Sequence, residues 1–211
     1  MNRAHIFLAD DHTLLLEAFQ SLLEADYDVV GTASDGRQML TQVKKLKPDV
    51  VVMDIAMPNL NGFDAGEKLK KLLPDVKLVF LTVNDDPKMV TEAFRIGASG
   101  YLLKNSAASD LFKCIEVVLG NGNFVTPEIT RHMIDAFIKD PSGESVHGEL
   151  SLRQREVLQL LAEGKTMKEV AAILNITHRT VAFHKYQIME DLGIKTNSEL
   201  IKYAIEHGLT S

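Results

Sequence analysis

The sequence holds one cysteine, Cys114, no tryptophan and six prolines among 211 residues. A lone cysteine excludes an internal disulfide and cannot by itself build a thiolate metal site, which fits a reducing compartment. No apolar run approaches the length of a membrane span. The first residues lack the basic-apolar-small pattern of a signal peptide. A cytoplasmic protein without a membrane partner is therefore expected. Strong positive charge is also missing, since the net charge is −6. It is unevenly placed: through residue 146 there are 15 Lys and Arg against 21 Asp and Glu, and from residue 147 on there are 8 of each. The total meets the charge test for nucleic-acid binding only weakly. Distribution says more, because Lys165, Lys168, Arg179 and Lys185 gather around a single acid, Glu169. The length suits one large domain or two small ones.

What is present begins with four short apolar runs that end in polar residues. His5 to Ala9 leads into Asp10 and Asp11, Val50 to Met53 into Asp54, Lys77 to Leu81 into Thr82, and Gly100 to Leu103 into Lys104. Bounded apolar runs alternating with helix-period stretches predict a parallel sheet of buried strands. The fold class is α/β, a doubly wound five-stranded parallel sheet, followed by a small all-α domain. Helix starts and stops are marked, as at Asp86-Pro87 and Gly97 for the fourth helix. Thr126-Pro127 opens a connecting helix to about Ile138, with Met133, Ile134 and Phe137 on one side. Lys139 to Glu149, with Asp-Pro-Ser-Gly and no periodicity, reads as a flexible linker. The boundaries are 4–120 for the first domain, 121–146 for the connection and 147–211 for the second domain.

In open parallel sheets, ligands bind beyond the carboxyl ends of the strands. Asp10, Asp11, Asp54, Thr82 and Lys104 should therefore meet at one edge. Three carboxylates, a hydroxyl and an ammonium suit a divalent metal and a phosphoryl group. A carboxylate can attack phosphorus and form an acyl phosphate, and transfer then needs positioning and charge neutralisation. Asp54 is best placed as the nucleophile, Asp11 with Asp10 behind it as the holder of Mg2+, Lys104 as a point charge and Thr82 as a donor. Each has a plainer reading: Asp10 and Asp11 could cap helix one, Asp54 a turn, and His12 could simply start the helix.

The Asp10-Asp11 pair, Asp54-Ile55-Ala56-Met57-Pro58, Thr82 and Gly100-Tyr101-Leu102-Leu103-Lys104 resemble receiver domains of two-component response regulators, which are flavodoxin-like. The resemblance covers about the first 120 residues. It implies that Asp54 accepts a phosphoryl group from a phosphohistidine of a sensor histidine kinase. It implies Mg2+ on Asp11, Asp54 and the Ala56 backbone carbonyl, with Asp10 assisting through water. Thr82 and Tyr101 are implied as a switch pair, and Ala56 and Asn84 occupy positions that tune hydrolysis. Asn105 departs from the pattern, since many receivers have proline after the lysine.

The last 65 residues predict short helices, three opened by capping boxes: Ser151 with Gln154, Thr166 with Glu169, and Thr196 with Glu199. Leu174-Asn175-Ile176 leaves room only for a tight turn, which makes a helix-turn-helix. On the second helix of the pair, Val181, His184, Ile188 and Leu192 form an inward stripe, and His184 reads as a satisfied core histidine. Arg179, Ala182, Phe183 and Tyr186 form the opposite stripe, which would enter the major groove. Lys165, Lys168, Arg179, Lys185 and the helix start at Thr177, His178 and Thr180 would face phosphates. Leu150 to Gly164, Lys168-Glu169-Val170-Ala171, Thr180-Val181, His184 and Leu192-Gly193 resemble LuxR-type DNA-binding domains. Together the halves are similar to NarL/FixJ-type regulators. The function expected is a phosphorylation-controlled, DNA-binding transcriptional regulator that acts as a homodimer on double-stranded DNA. As a catalyst it would act only on its own phosphoryl group. Two alternatives stand beside it: a phosphorylation-independent DNA-binding regulator whose receiver only dimerises, and an aspartate-nucleophile phosphatase. The phosphatase reading suffers because Asp10-Asp11-His12 lacks the usual Asp-x-Asp arrangement.

Overall fold

β-Branched and aliphatic runs too short for helices become the strands of the first domain. They are β1 (His5–Ala9), β2 (Asp28–Ala33), β3 (Val50–Asp54), β4 (Lys77–Thr82) and β5 (Gly100–Leu103). Between them run α1 (Thr13–Leu23), α2 (Gly36–Leu46), α3 (Gly62–Leu72) and α4 (Pro87–Ile96), and α5 (Ala108–Leu119) follows β5. The structure is a computed structural model that describes residues 3–106, 108–131 and 150–210. All strand pairs are parallel, in the order β2-β1-β3-β4-β5-β6.

The sixth strand corrects the expected five. β6 (Phe124–Val125) continues the sheet beyond β5, with Gly100 opposite Phe124 and Tyr101 opposite Val125. Two residues after the Gly120-Asn121-Gly122 turn are too short to show a period of two, so only pairing reveals them. Residues 127–131 are helical (α6). The rest of the expected connecting helix, with Met133, Ile134 and Phe137, and the linker Lys139 to Glu149 lie outside the described residues.

Strand residues alternate between two cores. Phe7, Val51, Met53, Leu78, Phe80 and Tyr101 pack under α2, α3 and α4. Ile6, Leu8, Val50, Val52, Val79 and Leu81 pack under α1 and α5 with Cys114, Ile115 and Val118. This doubly wound layering leaves one polar edge, where β1, β3, β4 and β5 end.

The second domain is α7 (Leu152–Ala162), α8 (Met167–Leu174), α9 (His178–Asp191) and α10 (Asn197–Glu206). All three predicted capping boxes form, each with its reciprocal side-chain and backbone bonds. The α8–α9 turn is made by Asn175 in the left-handed region, φ 52°, followed by the Thr177 N-cap. Val157, Leu160, Val170, Val181, Ile188, Leu200 and Ala204 form the core of this domain.

Two glycines carry different loads. A Cβ on Gly62 would lie 2.2 Å from the Asp54 carbonyl oxygen, so α3 approaches the end of β3 backbone to backbone. Gly164 meets nothing, but its φ is +81°. Gly62→Ala should cost about 2–3 kcal/mol through displaced backbone, and Gly164→Ala roughly 1 kcal/mol of left-handed strain alone. Urea unfolding of both variants checks this; equal losses would contradict it.

Candidate functional site

The polar ends of three strands converge on one ammonium. Lys104 Nζ lies 2.8 Å from Asp10 Oδ2 and 2.8 Å from Asp54 Oδ2, joining the ends of β5, β1 and β3. Asp10 and Asp54 are buried, 1% and 2% exposed. Burial pushes the Asp54 carboxyl up from its ordinary value, and the hydrogen bond and charge of Lys104 only partly offset it. For Lys104 burial acts against the charge, yet its bonds to Asp10 and Asp54 outweigh it and the pKa is raised. Asp11 stands at the exposed rim.

His12 is the N-cap residue of α1 by position, without a side-chain cap bond, so neither Asp10 nor Asp11 caps this helix. Asp10 Oδ1 instead accepts from the His12 backbone N–H at 2.9 Å. The His12 ring reaches into the acids, with Nδ1 3.0 Å from Asp10 Oδ1 and 2.9 Å from Asp11 Oδ1. Ligand atoms of Asp10, Asp11, His12 and Asp54 all lie within 4.8 Å of one another. That donor set is dominated by hard oxygens, which fits a magnesium-sized cation. The Ala56 N–H bonds to Asp54, and Ala56 lines the same cleft as Asp11.

Thr82 is buried at the end of β4, its Oγ1 accepting from the Asn84 N–H at 3.0 Å. Tyr101 is wholly buried, donates to the Asn84 carbonyl at 3.1 Å and also bonds the Thr82 side chain. Burial raises its pKa, so it remains a neutral donor. Thr82, Asn84 and Tyr101 thus form one connected group beside the acid pocket.

On α9 the expected inward stripe is buried only at Val181 and Ile188, with His184 and Leu192 half-buried. Phe183 and Tyr186 are 61% and 65% exposed. Arg179, His178, Thr177 and Lys168 are exposed, and Ala182, Thr180, Lys185 and Lys165 are half-buried. The reading of His184 needs a correction. Its Nδ1 is buried with no hydrogen-bond partner among the described residues, and burial lowers its pKa, with Arg153 adding to the effect.

Two families match the two halves: "Response regulator receiver domain" over residues 6–116 and "Bacterial regulatory proteins, luxR family" over residues 148–204. The chain is a LuxR-type response regulator. Oxygen regulatory protein NreC of Staphylococcus carnosus is 33% identical over 213 residues, covering 97% of this chain and 98% of the relative. The solved RcsB response regulator of Salmonella typhimurium is 27% identical, with a TM-score of 0.66 over 98% of this chain and 99% of that one. A solved complex of RcsB with DNA is 28% identical, with a TM-score of 0.60 over 96% and 98%. The response regulator described here is a DNA-binding transcriptional regulator of two-component signalling under phosphorylation control. Regulators of this family pair with sensor kinases and are not enzymes in the ordinary sense.

One functional surface escaped the sequence reading. Arg155, Glu156, Gln159 and Glu163, on α7 and its C-cap, face the receiver. Arg155 Nε donates to Asp64 Oδ1 at 2.7 Å, and Nη2 to Glu67 Oε2 at 2.9 Å. Glu156 Oε1 accepts from Lys68 at 2.7 Å and from Arg37 at 3.1 Å. Burial acts to raise the Glu156 pKa, but Lys68, Arg153 and Arg37 outweigh it and the carboxyl is held below its usual range. Asp64 goes the other way: burial raises it despite Arg155 and Asn61. Polar residues on a helix ordinarily face water, and the partners of this stripe on α2 and α3 are about 90–120 residues distant in sequence.

Removing the shared cation should expose the cost of the acid pocket. Lys104→Met should lose about 3–5 kcal/mol, because two buried carboxylates lose their partner. The raised Asp54 pKa means that the folded chain binds this proton more tightly than the unfolded chain. The penalty is therefore present above the folded pKa and relieved as pH falls through it. Urea unfolding of Lys104→Met from pH 7 to pH 5 should show partial recovery relative to wild type, and Lys104→Met/Asp54→Asn should be more stable than the single variant at pH 7. A single variant as stable as wild type at pH 7 would contradict the account.

Proposed function

We propose that Asp54 is the phosphoacceptor, and that its phosphorylation by a sensor histidine kinase controls DNA binding through α9. The observation that carries this is the pair of 2.8 Å contacts that hold Lys104 against both Asp54 and Asp10 at the strand ends. An Asp54 oxygen attacks phosphorus, the P–N bond of the phosphohistidine breaks, and its electron pair leaves with the imidazole nitrogen, which then takes a proton. Lys104 is positioned to neutralise charge on the phosphoryl oxygens. Asp11, Asp54 and the Ala56 carbonyl, with Asp10 behind them, would hold Mg2+, which supplies further neutralisation when bound. Thr82 and Tyr101 form the switch pair next to that pocket. The only chemistry assigned to this chain is acceptance and hydrolysis of its own phosphoryl group.

On DNA, Arg179, Ala182, Phe183 and Tyr186 stand at base edges. Lys165, Lys168, Thr177, His178, Thr180 and Lys185 meet phosphates. The active form is a two-fold homodimer on paired half-sites, acting in the cytoplasm, with domains at 4–120 and 147–211 joined by 121–146. Arg179, Phe183 and Tyr186 are exposed while α7 is seated on the receiver.

Treatment with acetyl phosphate and Mg2+ should add one acid-labile phosphate, read by intact mass, and Asp54→Ala should add none. Undiminished labelling of that variant would refute the assignment. On DNA, Lys168→Ala should weaken all sites alike and reduce the salt slope by about one. Tyr186→Ala should shift the preferred sequence and cost roughly 1–3 kcal/mol on the best site. An unchanged preference in a selection experiment would remove Tyr186 from the base-reading set.

A further inference from the structure

His12 stands at the start of α1 but does not cap it, since its side chain makes no cap bond. Its ring is 68% exposed. An exposed imidazole ordinarily extends into water, where it keeps its rotamer freedom. This one is turned onto the acids instead. Nδ1 lies 3.0 Å from Asp10 Oδ1 and 2.9 Å from Asp11 Oδ1, with Lys104 Nζ 3.5 Å away. The nitrogen shares one small space with the carboxylates, because one ligand atom from each of Asp10, Asp11, His12 and Asp54 lies within 4.8 Å of the others. Asp10 and Asp54 are buried there and cannot turn away to water. Between two carboxylate oxygens Nδ1 carries the ring proton and donates it.

Resting on the reading of the acid pocket as a divalent-cation site, we propose that His12 supplies a nitrogen ligand there, and that the pocket so equipped prefers a divalent transition-metal cation to Mg2+. Carboxylate and carbonyl oxygens suit Mg2+, and three of the four donors are of that kind. An imidazole nitrogen adds little for Mg2+, which is hard and dehydrates reluctantly. The same nitrogen is a favoured ligand of the later first-row divalent metals. Ligation leaves the ring neutral: the proton passes from Nδ1 to Nε2, and the Nδ1 lone pair turns to the cation. A purely structural His12 has a different signature. If it only donated to Asp10 and Asp11, its loss would leave the carboxylates more repulsive and would tighten every divalent cation alike. A ligand separates the two metals.

Binding of Mg2+ and of Co2+ to the full chain is titrated by calorimetry in wild type, His12→Asn and His12→Ala. Asparagine is a good N-cap residue, so the first variant keeps the start of α1 intact. Wild type should bind Co2+ at least tenfold more tightly than Mg2+. Both variants should lose about tenfold in Co2+ affinity while holding or exceeding the wild-type affinity for Mg2+. Proton NMR of the Co2+ form should show contact-shifted imidazole resonances that vanish in His12→Asn and on displacement by excess Mg2+. Equal changes for the two metals overturn the inference, as do shifted imidazole resonances that persist in His12→Asn. Binding of both cations to wild type without any shifted imidazole resonance overturns it too, and leaves the pocket a cation site built of oxygens. Wild type that binds neither cation counts against the reading of the pocket itself, and the role of His12 falls with it.

Discussion

One ammonium holds the receiver's working edge together. Lys104 is the positive partner shared by Asp10 and Asp54, and those three residues close the ends of β5, β1 and β3. Without it, two buried carboxylates would face each other across a few ångströms, and burial already pushes Asp54 up. Isolated ionised groups are not stable in such a place. The edge is thus built to need positive charge, which is what a divalent cation on its carboxylates would add. The parallel sheet exists to deliver these residues from distant parts of the chain, while the two apolar cores on its faces keep their positions fixed.

The loop that leaves this edge also meets the second domain, through Met57, Asn59 and Asn61. Gly62 brings α3 within backbone contact of β3. Asn61 caps α3 through its own side chain and gives its N–H to Gln159. Next to it, Arg155 pairs with Asp64 and Glu67, and Glu156 with Arg37 and Lys68. An interface made of hydrogen-bonded charges contributes little net stability beside an apolar one, but it is intolerant of misfit. Its partners are fixed one to one by these short bonds.

Much of this was legible in the sequence, for identifiable reasons. Apolar runs ending in Asp10, Asp54, Thr82 and Lys104 report strands because a parallel sheet buries both faces. Capping boxes at Ser151, Thr166 and Thr196 report helix starts because the reciprocal bonds need those residue types at that spacing. β6 was not legible, since two residues carry no period. The ring of His12 among the acids and the Nδ1 of His184, without a partner among the described residues, depend on side-chain direction, which spacing does not determine. The polar stripe Arg155, Glu156, Gln159 and Glu163 was invisible for a deeper reason. A polar helix face reads the same whether it meets water or a complementary polar surface, and the complement here lies on α2, α3 and the loop before α3, remote in sequence.

In the function proposed, chemistry at Asp54 sets the strength of DNA binding by α9. The most direct measurement uses DNA selected from a random pool by the full chain. Affinity for the selected duplex is titrated at fixed salt and Mg2+, before and after acetyl phosphate treatment, in wild type and in Asp54→Asn. The account predicts at least tenfold tighter binding by treated wild type and no change on treatment of Asp54→Asn. Equal affinity of treated and untreated wild type, with phosphate incorporation verified by mass, would contradict it.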